Sequence, residues 1–252
     1  MLSPSRINWR LIILLATLLG LNACGGERLS ELMKASRDGN LEAVKRAING
    51  GAEVDYSTEK GKTALMLAAS NGHVEVVKLL IDYGAQIDRQ DNFGTTALIV
   101  AATGNKTETA RFLAEHGADP THKDSSGGSA LSNATFFGHA DTVKALLKHA
   151  SGLPQNDAEE LMMIAAGLGH IEVAKVLLDH GVSPNARGIK QRTAIMAAAA
   201  FNKPKVAKLL LEKGANASLQ DDDGFNAFDI ASENDSADVL KLLSEFYDKK
   251  PQ

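Results

Sequence analysis

The sequence predicts an all-α solenoid of helix-turn-helix units, and three observations carry that prediction. Marker residues recur at a fixed interval. Thr63, Thr96 and Ser129 stand 33 residues apart, as do Thr193 and Asn226, Gly84 and Gly117, and Gly181 and Gly214. A period in this range means stacked units, each too small to bury its own apolar face. Composition agrees: 44% apolar residues are ample for a core, whereas only 5% aromatics together with abundant Ala favour closely packed helices over a β-sandwich. Within each period the apolar residues follow helical spacing.

The chain opens on a different pattern. Arg6 and Arg10 are the only charges before Glu27, and Leu11–Ala23 is an uncharged run of 13 residues. A membrane-crossing helix needs roughly 18–20 such residues. A basic start, a short apolar run and a small residue before a cut site make residues 1–23 a secretory signal peptide. Cys24 is the only cysteine, so it forms no internal disulfide. Leu21-Asn22-Ala23-Cys24 resembles the lipobox of bacterial lipoproteins, with Asn22 where small or β-branched residues are commoner. That resemblance implies that Cys24 becomes the first mature residue and carries diacylglycerol, so that residues 24–26 are a lipidated Cys and a short tether. Gly25, rather than Asp, implies sorting to the outer membrane, facing the periplasm. A plain signal peptide cut nearby, or an uncleaved anchor, are the alternatives.

Without residues 1–23 the formal charge of −4 becomes −6, because Arg6 and Arg10 are removed. Such mild acidity gives no electrostatic reason to expect nucleic acid or anionic lipid. The mature chain has no cysteine to cross-link, so its stability comes from packing.

Each element of the repeat has a physical reading. Thr63 caps a short helix by accepting an orphan backbone N–H. Ala68-Ala69, Ala101-Ala102 and Ala165-Ala166 let helices approach closely. Asn71-Gly72 stops the first helix and turns the chain. A second helix starts near Val74 and places Val77, Leu80 and Ile81 on one face. Gly84 ends it, and a polar loop leads to the next unit. This makes about seven units over residues 27–247, followed by a tail at 248–252. The end units are caps, with Glu31, Lys34, Glu245, Asp248 and Lys249 to meet water. Ala150 to Gly181 spans only 31 residues, and the loss falls in SGLPQNDAEE, so a local irregularity is expected between the fourth and fifth units.

The stretches TALMLAASNGHVEVVKLLIDYGA and GLGHIEVAKVLLDHGVSPN resemble the ankyrin repeat. That resemblance implies helix, turn, helix and a short finger loop per unit, and a protein-binding role. TALM, TALI, SALS and TAIM lack the Pro and His common after the family's Thr, which implies fewer hydrogen bonds between units and a less rigid array.

No chemistry assembles. Gly61-Lys62-Thr63 evokes a phosphate-binding loop, but Tyr56 stands where that loop needs Gly, and no apolar strand leads in. His73, His139 and His170 share one repeat phase, and His116, His149 and His180 share another, near helix ends, where a cation is favourable. No His-Glu-x-x-His pair or Gly-x-Ser-x-Gly elbow occurs. Asp221-Asp222-Asp223 lacks the spacing of a calcium loop and reads as a solvated charged loop. The chain is therefore expected to be no enzyme, with no cofactor and no metal.

A partner site is expected on the finger loops and the exposed side of the first helices, the shared surface implied by the resemblance. Just before the turn, Ser70-Asn71 and Thr103-Gly104 are polar or small, but Phe136-Phe137, Gly167-Leu168 and Ala200-Phe201 are not. Phe137, Leu168 and Phe201 share a phase, so they form a stripe across three units. Such a stripe is either a binding patch or ordinary packing between helices. Arg187, Lys190 and Arg192 form a basic finger tip, and Asp221–Asp223 an acidic one. Two function classes follow. One is a protein-sequestering module at the envelope, in its sharpest form an immunity or chaperone partner of a secreted toxin or hydrolase such as a lipase, since Gly25-Gly26 would hold the array close to the bilayer. The other is a periplasmic scaffold or stress-protection protein. The chain is expected to be a monomer when alone.

Overall fold

The computed structural model describes residues 29–150 and 153–248. The expected signal segment, Cys24, its tether and residues 249–252 lie outside the described residues. Fourteen α-helices form seven consecutive pairs among the described residues: α1 (Glu31–Arg37) with α2 (Leu41–Asn49), α3 (Ala64–Asn71) with α4 (Val74–Asp82), α5 (Ala97–Thr103) with α6 (Thr107–Glu115), α7 (Ala130–Phe136) with α8 (Ala140–Leu147), α9 (Gln155–Leu168) with α10 (Ile171–Asp179), α11 (Ala194–Ala200) with α12 (Pro204–Glu212), and α13 (Ala227–Glu233) with α14 (Ala237–Asp248). Each first helix packs on the next first helix and each second helix on the next second helix, giving two layers. The all-helical solenoid expected from the sequence is the observed fold. Finger loops project between pairs, and among the described residues extended pairing is limited to isolated bridges at Ser57–Thr63 and Arg187–Thr193.

The period is written into the caps. The side chains of Ser30, Thr63, Thr96, Ser129 and Asn226 accept N–H bonds from Met33, Met66, Ile99, Ser132 and Asp229, satisfying a free donor at each helix start. The first helices bury their small residues completely: Ala68, Ala69, Ala101, Ala102, Ala165, Ala166, Ala198 and Ala199 are all 0% exposed. Only a methyl stands between neighbouring backbones there, so the inner layer packs tightly. The second helices contribute one leucine row, Leu80, Leu113, Leu146, Leu177, Leu210 and Leu243, also fully buried. Val77 is buried beside Leu80, while Ile81 is half-buried against the same core. On the outside of the second helices, Glu42–Lys45, Glu75–Lys78, Glu108–Arg111 and Glu172–Lys175 repeat as exposed i,i+3 ion pairs. Each adds a few tenths of a kcal/mol, about 0.2–0.5.

The histidines do more than favour helix ends. His73, His139 and His170 donate Nε2–H to the backbone oxygens of Arg37, Thr103 and Phe136, each in the preceding unit, at 3.0, 3.2 and 2.9 Å. They stitch neighbouring units together, supplying links that the missing family histidine suggested would be scarce. His116 behaves as expected, closing its own helix end through Phe112 O.

The short fifth unit takes a specific form. α9 has 14 residues, against seven or eight in the other first helices. Glu160 stands where the other units carry Ser, Thr or Asn, so no residue stops the helix from starting early. Asn156-Asp157-Ala158-Glu159-Glu160 continues it back to Pro154, which ends it. Two extra turns of helix replace the finger.

Candidate functional site

The stripe residues sit at the carboxyl ends of three successive first helices. Phe137 caps α7, Leu168 is the last residue of α9, and Phe201 caps α11. These helices are neighbours in the inner layer. Phe137 is 40% exposed and Phe201 44%, so neither is buried in the core. Phe136 and Leu168 are half-buried. The ring of Phe136 meets that of Phe137 edge-on at 5.1 Å, and Phe137 stacks on His139 at 5.9 Å. Phe201 leans over unit five: a Cβ on Gly167 would lie 3.3 Å from its Cδ2, so the small residue makes the seat for the ring. The stripe thus keeps the rings of Phe137 and Phe201 partly in solvent, while Phe136 and Leu168 share in packing.

The charged tips are one feature rather than two. Lys190 meets Asp223 at 3.4 Å, Arg192 meets Asp221 at 3.2 Å, and Arg187 donates to Gln220 O at 3.0 Å. Lys190 and Asp223 are 33 residues apart, so stacking brings the tips side by side and the charges cancel. Asp221 also corrects the expectation of a solvated loop. Its side chain is 0% exposed, and Oδ1 accepts from the N–H groups of Asp223 and Phe225. Asp91 and Asp124 hold their fingers in the same way, through the N–H groups of Phe93 and Thr95, and of Ser126 and Gly128. The carboxylate shapes the turn because it accepts two donors that would otherwise be free.

Fingers also join one another. Asn92 N–H donates to Lys60 O, Ser125 N–H to Phe93 O, and Asp222 N–H to Lys190 O, at 3.0, 2.8 and 3.0 Å. This ladder connects the first three fingers and, separately, the last two. Where α9 replaces a finger, the side-chain pair Lys123–Asp157 bridges the finger row at 3.0 Å. That hydrogen bond and the nearby carboxylate raise the Lys123 pKa.

Sequence reasoning passed over several exposed apolar side chains on the same edge. Ile189 is 88% exposed and Phe93 58%, both in fingers; Tyr56 and Phe225 join them. The signal for Ile189 was present: its phase holds Glu59, Asn92, Ser125 and Asp222 in the other fingers. Among the described residues no group of three or more His, Cys, Asp or Glu is placed to hold a metal, and no helix is long and apolar enough to cross a membrane.

Comparison with known proteins agrees with this geometry. The family model for ankyrin repeats matches three times, at residues 32–124, 121–188 and 183–252. A stretch of 84 residues is 32% identical to the E3 ubiquitin-protein ligase KEG of Arabidopsis thaliana, and one of 93 residues is 32% identical to the ankyrin repeat and KH domain-containing protein mask-1 of Caenorhabditis elegans. These matches cover 33% and 36% of this chain but only 5% and 4% of those proteins. Among solved structures, the ankyrin repeat domain of human ASB11 superposes with a TM-score of 0.74 at 27% identity, over 89% of this chain and 100% of that one. The ankyrin repeat domain of Bcl-3, a member of the IkappaB family, also gives 0.74, at 25% identity over 87% of this chain and 100% of the other.

Proposed function

This chain belongs to the ankyrin-repeat family, a family of protein–protein interaction modules, and from that premise we propose that it is a non-catalytic module that captures a protein at the bacterial envelope. The observation that carries the reading is the exposure of Phe137 and Phe201 on first-helix ends two units apart, with half-buried Leu168 on the helix between them. Apolar surface on a shared face is what a partner buries. Lys190 and Arg192, already neutralised by Asp221 and Asp223, contribute orientation at the rim rather than a basic docking site. Tethering through a lipidated Cys24 is part of the proposal, supported by the Leu21–Cys24 pattern. A secreted toxin or hydrolase is the partner class that such a placement suits, with this chain as its immunity protein or chaperone. A periplasmic scaffold or stress-protection role is the alternative.

The test is paired. Phe137→Ala and Phe201→Ala each weaken capture of the wild-type partner by about thirtyfold, the loss expected for truncating an aromatic hot spot worth about 2 kcal/mol. The unfolding midpoint stays nearly unchanged. A large fall in midpoint, or undiminished capture, would assign the rings to packing. A gene for a hydrolase or secretion component beside this one favours the immunity role over the scaffold.

A further inference from the structure

The break in the finger ladder divides the array. Within the first part, fingers are joined by backbone bonds from Asn92 to Lys60 and from Ser125 to Phe93. Within the second, Asp222 bonds to Lys190, and side chains add Arg187 to Gln220 O and Arg192 to Asp221. α9 belongs with the second part, because Met163 packs so closely on finger residue Gly188 that a Cβ there would lie 2.6 Å from its sulfur. Between the third finger and α9 lies a shallow cleft lined by Lys123, Gly127, Leu131, Leu153, Asp157 and Leu161. Lys123–Asp157 spans it, with the two side chains 48% and 26% exposed. At the opposite end of the same first helices the units stay joined, through His170 Nε2–H to Phe136 O at 2.9 Å.

We propose that the array is articulated at this one joint, between the fourth and fifth units, with the His170–Phe136 contact as pivot and the Lys123–Asp157 ion pair as latch. The proposal rests on the reading of Phe137, Leu168 and Phe201 as a partner face. Phe137 lies on one side of the joint. Leu168 and Phe201 lie on the other, with Phe201 seated above Gly167. Opening the latch therefore changes the angle between the two halves of the stripe while each half stays intact. A partner that spans the stripe selects one angle, since it binds that arrangement best. The latch suits such a movement: a partly exposed ion pair is weak, screened by salt, and opens without breaking the core.

Hydrogen exchange on the purified full-length chain tests the joint without any partner, so its outcome is independent of the capture experiment. Lys123→Met removes the latch while leaving α9 untouched, and about 0.5 M salt on the wild type weakens it without mutation. Either condition speeds exchange two- to fivefold in segments 123–129 and 155–161, the range that follows from an ion pair of this exposure. Segment 89–96, on the intact ladder of the first part and without an ion pair of its own, keeps its rate. Unchanged exchange at the joint overturns the proposal, and so does an equal rise in all three segments, which would mean that the array loosens as one body.

Discussion

Gly138 sits at φ 74°, and a Cβ there would lie 2.7 Å from Nδ1 of His170. Two demands meet at this residue: a left-handed backbone at the end of α7, and room for the imidazole that stitches unit five to unit four. Gly117, at φ 98°, has the first demand alone, with nothing within 4 Å of its would-be Cβ. Alanine at either site costs about 1–2 kcal/mol for the backbone. Gly138→Ala adds about 1 kcal/mol as the His170–Phe136 bond is displaced. Urea unfolding of both variants should show the larger drop at Gly138; equal drops would leave the histidine without structural weight. Asp221 gives a second contrast within one charged run. Its carboxylate is enclosed and accepts two backbone donors, whereas Asp222 is exposed. Asp221→Ala is expected to cost about 1–3 kcal/mol, the penalty for stranding those donors and Arg192, while Asp222→Ala stays within about 0.5 kcal/mol.

At the scale of the element, α9 differs from every other first helix. It runs to 14 residues after Pro154, and among the described residues the backbone bonds that fingers share do not reach it. α12, by contrast, lies inside the second layer with Val206, Leu209, Leu210 and Leu211 buried. Backbone amides of Leu153–Glu160 are accordingly expected to exchange at least tenfold faster than those of Val206–Leu211, because opening there exposes few buried contacts. Equal protection of both segments would mean that the two added helical turns fully replace the finger's contribution. The lengthened helix also explains how two residues fewer give no gap in the inner layer. Its last two turns, carrying Leu161, Met162, Ala165 and Ala166, keep the phase of the other units and bury the same row.

For the whole molecule, stability is a sum of unit and interface terms, since each unit meets only its neighbours. The outward faces of the end units carry exposed Glu31, Lys34, Glu245 and Asp248, so the stack terminates in polar surface. The proposed function at this scale depends on the proposed lipid tether. Cys24→Ser is expected to abolish labelling by a palmitate analogue and to move the protein out of the membrane fraction, because one residue supplies the proposed acylation site. Equal labelling of wild type and variant would remove the lipid anchor from the proposal and leave a binding module of other placement.

The repeat period, the capping Ser and Thr residues, the paired alanines and the leucine row were all legible in the sequence. Each depends on local conformation or on i, i+3 spacing, and local rules act the same way in every unit. The candidate stripe was legible for the same reason: equal phase means neighbouring position once units stack. Three features were decided only by the tertiary structure. The basic and acidic tips proved to be one neutral pair, because 33-residue stacking sets Lys190 beside Asp223. Asp221 proved to be enclosed, since burial of a loop carboxylate depends on donors brought from Asp223, Phe225 and a neighbouring finger. The missing finger became helix, dividing the ladder, because Glu160 lacks a cap's short polar side chain while the cleft and its Lys123–Asp157 bridge depend on two segments meeting across units. Sequence specified what each unit does alone; contact between units, through charge pairing, desolvation and shared backbone bonds, decided the surface on which a partner would act.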